Sequence, residues 1–203
     1  MWKMTIKLVK DFITRHTLDI ESLENRTSKA RTTGRFNPFH NPHYDLVKLM
    51  YQGNPNRDVT IHPVVGRELN QANLFDSETT QQAITACYPE INVIPIPPLT
   101  PRAGLNVLRI LREDFNPGDM YAGGDLPHQI IAIIFGGFEL MPRERSGVSA
   151  TEVRELMIAD DDGWKEHIPA AAVPIYQEAM NHEEFKIAKD IPVRARYFGL
   201  VKS

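Results

Sequence analysis

Two histidines three residues apart, His40 and His43, close the segment Gly34-Arg35-Phe36-Asn37-Pro38-Phe39-His40-Asn41-Pro42-His43. Imidazole nitrogens can follow an oxygen whose charge is changing, and Arg35 adds a permanent cation beside them. Pro42 suits the first position of a helix, and the extended geometry of a residue before proline suits Asn41 as its cap. His43 then falls in the first turn, where free backbone N–H groups and the positive end of the helix dipole attract anionic oxygens. A second group of the same character is Ser149-Ala150-Thr151-Glu152-Val153-Arg154. Ser149 and Glu152 have capping-box spacing, and Arg154 lies one turn inside the same helix beside Thr151. Arg143, Arg145 and Gly147 lead into it. Guanidiniums, hydroxyls and free N–H groups gathered at one helix end are suited to phosphate oxygens.

Each group alone is also compatible with an ordinary helix start, because surface histidines at this spacing are common and a capping box opens many helices. A structural zinc site lacks further ligands at standard spacing. The run Asp160-Asp161-Asp162 reads as a solvated loop ending at Gly163 rather than a metal site.

Bringing two helix starts to one ligand requires a scaffold, and the rest of the chain describes one. From residue 30 onward, short segments of strand character alternate with longer ones of helical period, the pattern of an open parallel sheet flanked by helices. The helical segments are 42–53, with Tyr44, Val47, Met50 and Tyr51 on one side, then 76–88, 104–115, 125–135, 149–159 and 169–182. The strand segments are 29–33, 59–65, 91–96, 120–123 and 138–141. The first of these, Lys29-Ala30-Arg31-Thr32-Thr33, is the least strand-like, having two β-branched residues but no bulky apolar one. About five strand–helix units are too few for a closed (β/α)₈ barrel, so the expected fold is α/β, a Rossmann-like doubly wound parallel sheet with C-terminal helices. Ligands of such sheets sit at the strand C-terminal ends. Residues 1–28 read as an N-terminal extension that packs on the core or on a sister subunit, which leaves a homo-oligomer open.

At 203 residues the chain is long enough for one full core. A formal net charge of −3 gives no overall basic field, so a nucleic-acid partner is not expected. Cys87 is the only cysteine, which excludes an internal disulfide and suits a reducing compartment. The longest apolar run, Ile130 to Phe135, is far short of a membrane span, and Lys3, Lys7 and Lys10 interrupt any signal-peptide core. A cytoplasmic protein with no membrane partner is expected.

Taken together, the two phosphate-suited segments resemble the HxGH-type nucleotidyltransferase superfamily, most closely the archaeal-type nicotinamide mononucleotide adenylyltransferases. That family's opening, G-R-F-x-P-F-H-x-G-H, is matched by Gly34, Arg35, Phe36, Pro38, Phe39, His40 and His43. Its late motif, S-x-T-x-I-R, is matched by Ser149, Thr151, Val153 and Arg154. Tyr121-Ala122-Gly123-Gly124-Asp125 resembles its strand-end segment near the adenosine, and Trp164 to Pro169 its W-x-x-x-x-P approach to the last helices. The resemblance covers about residues 30–185 and makes 29–203 a nucleotidyltransferase domain. It implies transfer of the AMP part of ATP to nicotinamide mononucleotide, giving NAD and pyrophosphate, with Mg2+ carried by the ATP and no protein metal site. It implies catalytic roles for His40, His43 and Arg154, and nucleotide contacts from Thr33, Gly34, Arg35, Phe36, Gly123, Gly124, Asp125, Ser149 and Thr151. Pro42 stands where the family has glycine, Asn41 where a lysine often lies, and Asn106 at about the place of the nicotinamide-stacking tryptophan. These departures also leave room for another phosphorylated acceptor, or for a nucleotide-binding regulatory module without turnover.

Overall fold

The computed structural model describes residues 29–52, 58–65, 68–97, 120–122, 139–141 and 147–192. The expected helices 104–115 and 125–135 and the extension 1–28 lie outside the described residues. Strands β1 (Ala30–Gly34), β2 (Val59–Pro63), β3 (Asn92–Val93), β4 (Met120–Ala122) and β5 (Glu139–Met141) pair in the order β3-β2-β1-β4-β5. Every pairing is parallel. This is the Rossmann-like strand order, in which the chain winds outward from β1 through β3 and then outward again from β4. The crevice for a ligand in such a sheet opens where the order reverses, at the carboxyl ends of β1 and β4.

The strand expected to be least strand-like is the central one. β1 is buried along Ala30 to Thr33 and registers with β2 from Ala30 opposite Val59 to Gly34 opposite Pro63. The period of two puts Ala30, Thr32, Val59 and Ile61 on one face and Arg31, Thr33, Thr60 and His62 on the other. Little apolar bulk is needed from β1 itself. Val59 and Ile61 supply it beside Ala30, and Phe36 and Phe39, just past the strand end, join the same cluster. β3 keeps only two ladder residues, yet Ile94 N–H bonds Ile61 O at 2.9 Å and Ile96 N–H bonds Pro63 O at 2.8 Å, so the pairing continues alongside β2.

Helix α1 (Asn41–Gln52) covers the first face with His43, Leu46, Val47 and Met50. Of the side expected from Tyr44, Val47, Met50 and Tyr51, Val47 and Met50 are fully buried, and Tyr44 and Tyr51 are partly buried against the same cluster. Tyr44 and Tyr51 stack on Tyr88 at the edge, with ring centroids 5.0 and 5.8 Å apart. Helix α2 (Ser77–Cys87) is capped by Asp76, whose carboxylate accepts from Thr79 N at 2.7 Å. Ile84 of α2 meets the sheet cluster, while Ala83 meets a second cluster built by the C-terminal elements.

That second cluster joins Leu74 and Phe75 to Val153 and Met157 of α3 (Ala150–Ile158), Trp164 of a 3-10 helix (Asp162–His167), Tyr176 and Ala179 of α4 (Val173–Asn181), and Phe185 and Ala188 of α5 (Glu183–Asp190). Trp164 and Tyr176 are fully buried, and truncating an aromatic in such a site costs about 3–5 kcal/mol. Two expectations change here. The helix expected over 169–182 begins only at Val173, because residues after Pro169 turn first, with Ala172 N–H on Pro169 O at 2.8 Å. α5 was not among the expected helical segments; it buries Phe185 and Ala188, and its helical period is legible but short, over eight mostly charged residues.

Candidate functional site

β1 ends at Gly34, and the following loop carries Arg35 to His40 across the carboxyl edge of the sheet into α1. The loop is closely packed. Phe36 has φ 49°, a left-handed conformation that a bulky residue adopts only when its surroundings enforce it. Its ring is 2% exposed, lies edge-on to His43 with centroids 4.7 Å apart, and would stand 3.2 Å from a Cβ placed on Gly34. The room left by Gly34 is therefore filled by a phenyl ring.

The start of α1 differs by one residue from expectation. Tyr44 N–H bonds His40 O at 3.0 Å and His43 N–H bonds the same oxygen at 2.8 Å, which makes His40 the cap in place of Asn41. Asn41, Pro42 and His43 then occupy the first three helical positions. Pro42 still fits, because an N–H at the second position has no intrahelical partner to lose. The H-x-x-H spacing becomes cap to third residue, the spacing of a capping box. His43 Nδ1 lies 3.5 Å from His40 N and 2.7 Å from His40 Nδ1. The two Nδ1 atoms are within hydrogen-bond distance, and which one donates depends on the tautomers of the two rings. Both imidazoles are buried, their ring centroids 4.0 Å apart.

Asn41 points elsewhere, donating from Nδ2 to Glu166 O of the 3-10 helix at 3.0 Å. Asn37 brackets Phe75, donating to its carbonyl at 2.6 Å and accepting from its N–H at 3.3 Å. Phe39 N–H donates to the hydroxyl of Tyr176 at 2.7 Å. Sequence analysis missed Asn37, Phe75 and Tyr176 as partners of this loop, since no local spacing connects them.

The second helix start reaches the same loop. Gly147, at φ 94°, would place a Cβ 3.5 Å from the Pro42 ring. Ser149 caps α3 as the sequence pattern anticipates. Its hydroxyl accepts from Glu152 N at 3.3 Å, and its N–H and hydroxyl both lie 2.7 Å from the Glu152 carboxylate. These bonds hold the Glu152 carboxyl below the usual glutamate range, the backbone bond from Ser149 being the larger cause. The Ser149 hydroxyl thus spends both its roles inside the cap.

Arg154 crosses to the first segment. Its Nη1 donates to Asn37 O at 2.8 Å and its Nη2 to Thr151 Oγ1 at 2.9 Å. The side chain is buried, and among the described residues no carboxylate forms an ion pair with it. Burial, and secondarily the nearby charge of Arg35, lower its pKa, with Glu155 opposing weakly. Guanidinium still stays charged at neutral pH. Among the described residues this buried cation is held by two neutral oxygens with a second cation nearby, an environment whose electrostatics would favour an anion.

The structure therefore brings His40, His43, Arg35, Thr151 and Arg154 to one edge of the sheet. Thr33 and Gly34 end the central strand beneath them, and Arg31 of β1 registers with Tyr121 of β4. Gly123, Gly124, Asp125, Arg143 and Arg145 lie outside the described residues. Among the described residues no group of three or more His, Cys, Asp or Glu side chains could hold a metal ion. Asp160 pairs with Lys189 at 3.2 Å, Asp161 accepts from Gly163 N at 2.9 Å, and Asp162 pairs with Lys165 at 2.7 Å. Cys87 is half-buried, and desolvation pushes its thiol up to about 11, too high for a ready nucleophile. No described helix is long and apolar enough to cross a membrane.

No family model matches the chain, and no curated protein does. Solved structures do. A bifunctional NMN adenylyltransferase/ADP ribose pyrophosphatase from Francisella tularensis aligns over 81% of this chain and 53% of its own, with a TM-score of 0.62 and 15% identity. A structure of the bifunctional enzyme from that organism complexed with AMP and Mn ion aligns over 81% of this chain and 52% of its own, at 0.59 and 16%. Thermotoga maritima TmcAL bound with alpha-thio ATP aligns over 76% of this chain and 56% of its own, at 0.57 and 12%. At these identities the likeness is one of fold, and this chain spans about half the length of each of the three.

Proposed function

We propose that residues 29–203 form a nucleotidyltransferase domain that transfers the adenylyl group of ATP to nicotinamide mononucleotide, giving NAD and pyrophosphate, with residues 1–28 as an extension. The observation that carries this reading is Arg154, a buried guanidinium with no carboxylate partner among the described residues, aimed at the loop that ends the central strand. The sequence opening Gly34 to His43 and the late Ser149 to Arg154 segment meet there. Support comes also from the shared fold of an NMN adenylyltransferase-containing enzyme, and from the AMP and ATP analogue named in two of the neighbours.

In the proposed reaction an oxygen of the mononucleotide phosphate forms a bond to the α-phosphorus of ATP while the bond from that phosphorus to the β-bridging oxygen breaks. Pyrophosphate leaves with the electron pair, and no covalent enzyme intermediate is needed. The chain's own work is to position the phosphates and stabilise charge as it moves onto the leaving group. Arg154 and Arg35 supply fixed positive charge, and His43 supplies an imidazole beside them. Thr151 accepts from Arg154 and keeps its hydroxyl proton free for a phosphate oxygen, while the free N–H groups at the start of α3 add further donors. Ser149 contributes its hydroxyl only if Glu152 is displaced from it. Thr33, Gly34 and Phe36 shape the floor, His40 orients His43, and Gly123, Gly124 and Asp125 are assigned to the nucleoside end. Among the described residues the donor set around Arg154 is cationic or neutral and does not fit a resident metal; Mg2+ would enter as the counter-ion of ATP.

The test is direct. The purified chain mixed with ATP, Mg2+ and nicotinamide mononucleotide should form NAD and pyrophosphate above a His43→Ala control; formation of neither ends this reading. A second reading changes the acceptor to another phosphorylated small molecule, because Asn106 stands at about the place where the resembling family has its stacking tryptophan. Pyrophosphate release with a different acceptor, and no NAD, would select it. ATP binding without release of pyrophosphate to any acceptor would select a regulatory module.

A further inference from the structure

We propose that Asn37, which has no role in the reading above, is a positioning residue that aims Arg154 at the phosphates. The inference rests on Arg154 binding those phosphates. Arginine is long and rich in rotamers, so a useful fork must be held in place from more than one direction. Thr151, one of the two oxygens that hold it, sits on the same helix and moves with it. The other is the backbone carbonyl of Asn37, the described anchor that comes from across the site.

That carbonyl is fixed by its own side chain. Asn37 is 6% exposed, and its side-chain amide forms two bonds with the single residue Phe75, one to the carbonyl and one from the N–H. A two-point bracket onto backbone fixes both the position and the plane of the residue that carries it. Phe75 immediately precedes Asp76, the cap of α2, and its own ring is wedged against Tyr176 and Phe185 with centroids 4.7 and 5.6 Å away. The direction of the guanidinium is thus set by a relay from the α2 cap through the Asn37 amide and the Asn37 carbonyl to Nη1. Alanine would keep the carbonyl but free it to rotate. Aspartate would keep the bond from Phe75 N–H and lose the one to Phe75 O.

A double-mutant cycle on the full chain separates this from a general structural role. Binding of ATP and of inorganic pyrophosphate is measured by calorimetry for the wild type, Asn37→Ala, Arg154→Met and the double variant. The expected result is a loss of about tenfold in affinity from Asn37→Ala in the wild type, the scale of a slightly misplaced positioning group, and roughly none in the Arg154→Met background. Equal losses in both backgrounds would overturn the proposal. If Asn37→Ala does not fold, Asn37→Asp replaces it in the same cycle and is judged by the same two results. Failure of the wild type to bind either probe would instead remove the functional reading, and this proposal with it.

Discussion

Replacing Arg154 by methionine keeps an unbranched stem in the cavity and deletes the charge. Two opposing effects on stability follow. The guanidinium makes two hydrogen bonds, to Asn37 O and Thr151 Oγ1. Bonds to a charged group contribute about 1.5–3 kcal/mol each, so their loss costs roughly 3–6 kcal/mol. Removing a buried cation that pairs with no carboxylate among the described residues returns several kcal/mol of desolvation, a term of about the same size. The fold should therefore tolerate Arg154→Met, with Tm changing by only a few degrees. Function should not. Loss of a preorganised donor to a developing charge lowers turnover by about a hundredfold or more. Losing one charge-assisted contact to ATP weakens binding by about ten- to a hundredfold. At a concentration 100 times its dissociation constant, ATP stabilises the wild type by about 2.7 kcal/mol, or about 5–10 °C for a chain of this size. At the same concentration the variant should keep about half of that shift or less. Thermal melts with and without ATP, alongside pyrophosphate release, measure all three quantities. A variant that keeps both the ATP shift and turnover would refute the anion-binding role, and one that loses its fold would show that the two hydrogen bonds outweigh the desolvation of the charge.

Gly34→Ala would press a Cβ to 3.2 Å from the Phe36 ring, which cannot retreat without moving His43. Overpacking of this kind costs about 1–3 kcal/mol, read as a lower urea midpoint at unchanged m-value; an unshifted midpoint would show that the ring has room. Tyr176→Phe would leave the buried N–H of Phe39 without its acceptor, at a cost of about 1–3 kcal/mol by the same assay. Glu152 titrates below its ordinary range when folded, so its cap contributes stability that is complete above the ordinary glutamate value and fades as pH falls through the lower folded value. Glu152→Gln should accordingly melt below the wild type at neutral pH and converge with it in strong acid. A gap in Tm that stays constant with pH would contradict this.

The parts of the fold legible in the sequence are those whose determinants are local. The α3 capping box needs only Ser149 and Glu152, and the structure forms it. The alternation of elements was enough to indicate a parallel sheet. β1 read poorly because its apolar partners come from Val59 and Ile61 and from the loop beyond it. The cap of α1 was displaced by one because histidine is not a usual capping residue, and its role is visible only in the bonds to His40 O. At the site, the juxtaposition of the two helix starts followed from the pairing of motifs. The brackets that position them did not, since Asn37 and Phe75 are 38 residues apart, and Phe39 and Tyr176 are 137 apart.

The loop after β1 is fastened by Arg154, Glu166 and Tyr176, lying 117, 125 and 137 residues beyond the groups they hold. On a ribosome, then, this loop emerges more than a hundred residues ahead of the three groups that fasten it. A nascent chain stopped after α2 has Asn37 and Phe75 to join but none of those three. Closure of this early segment onto the second helix start thus waits for α4, whose Tyr176 supplies the acceptor for Phe39 N–H.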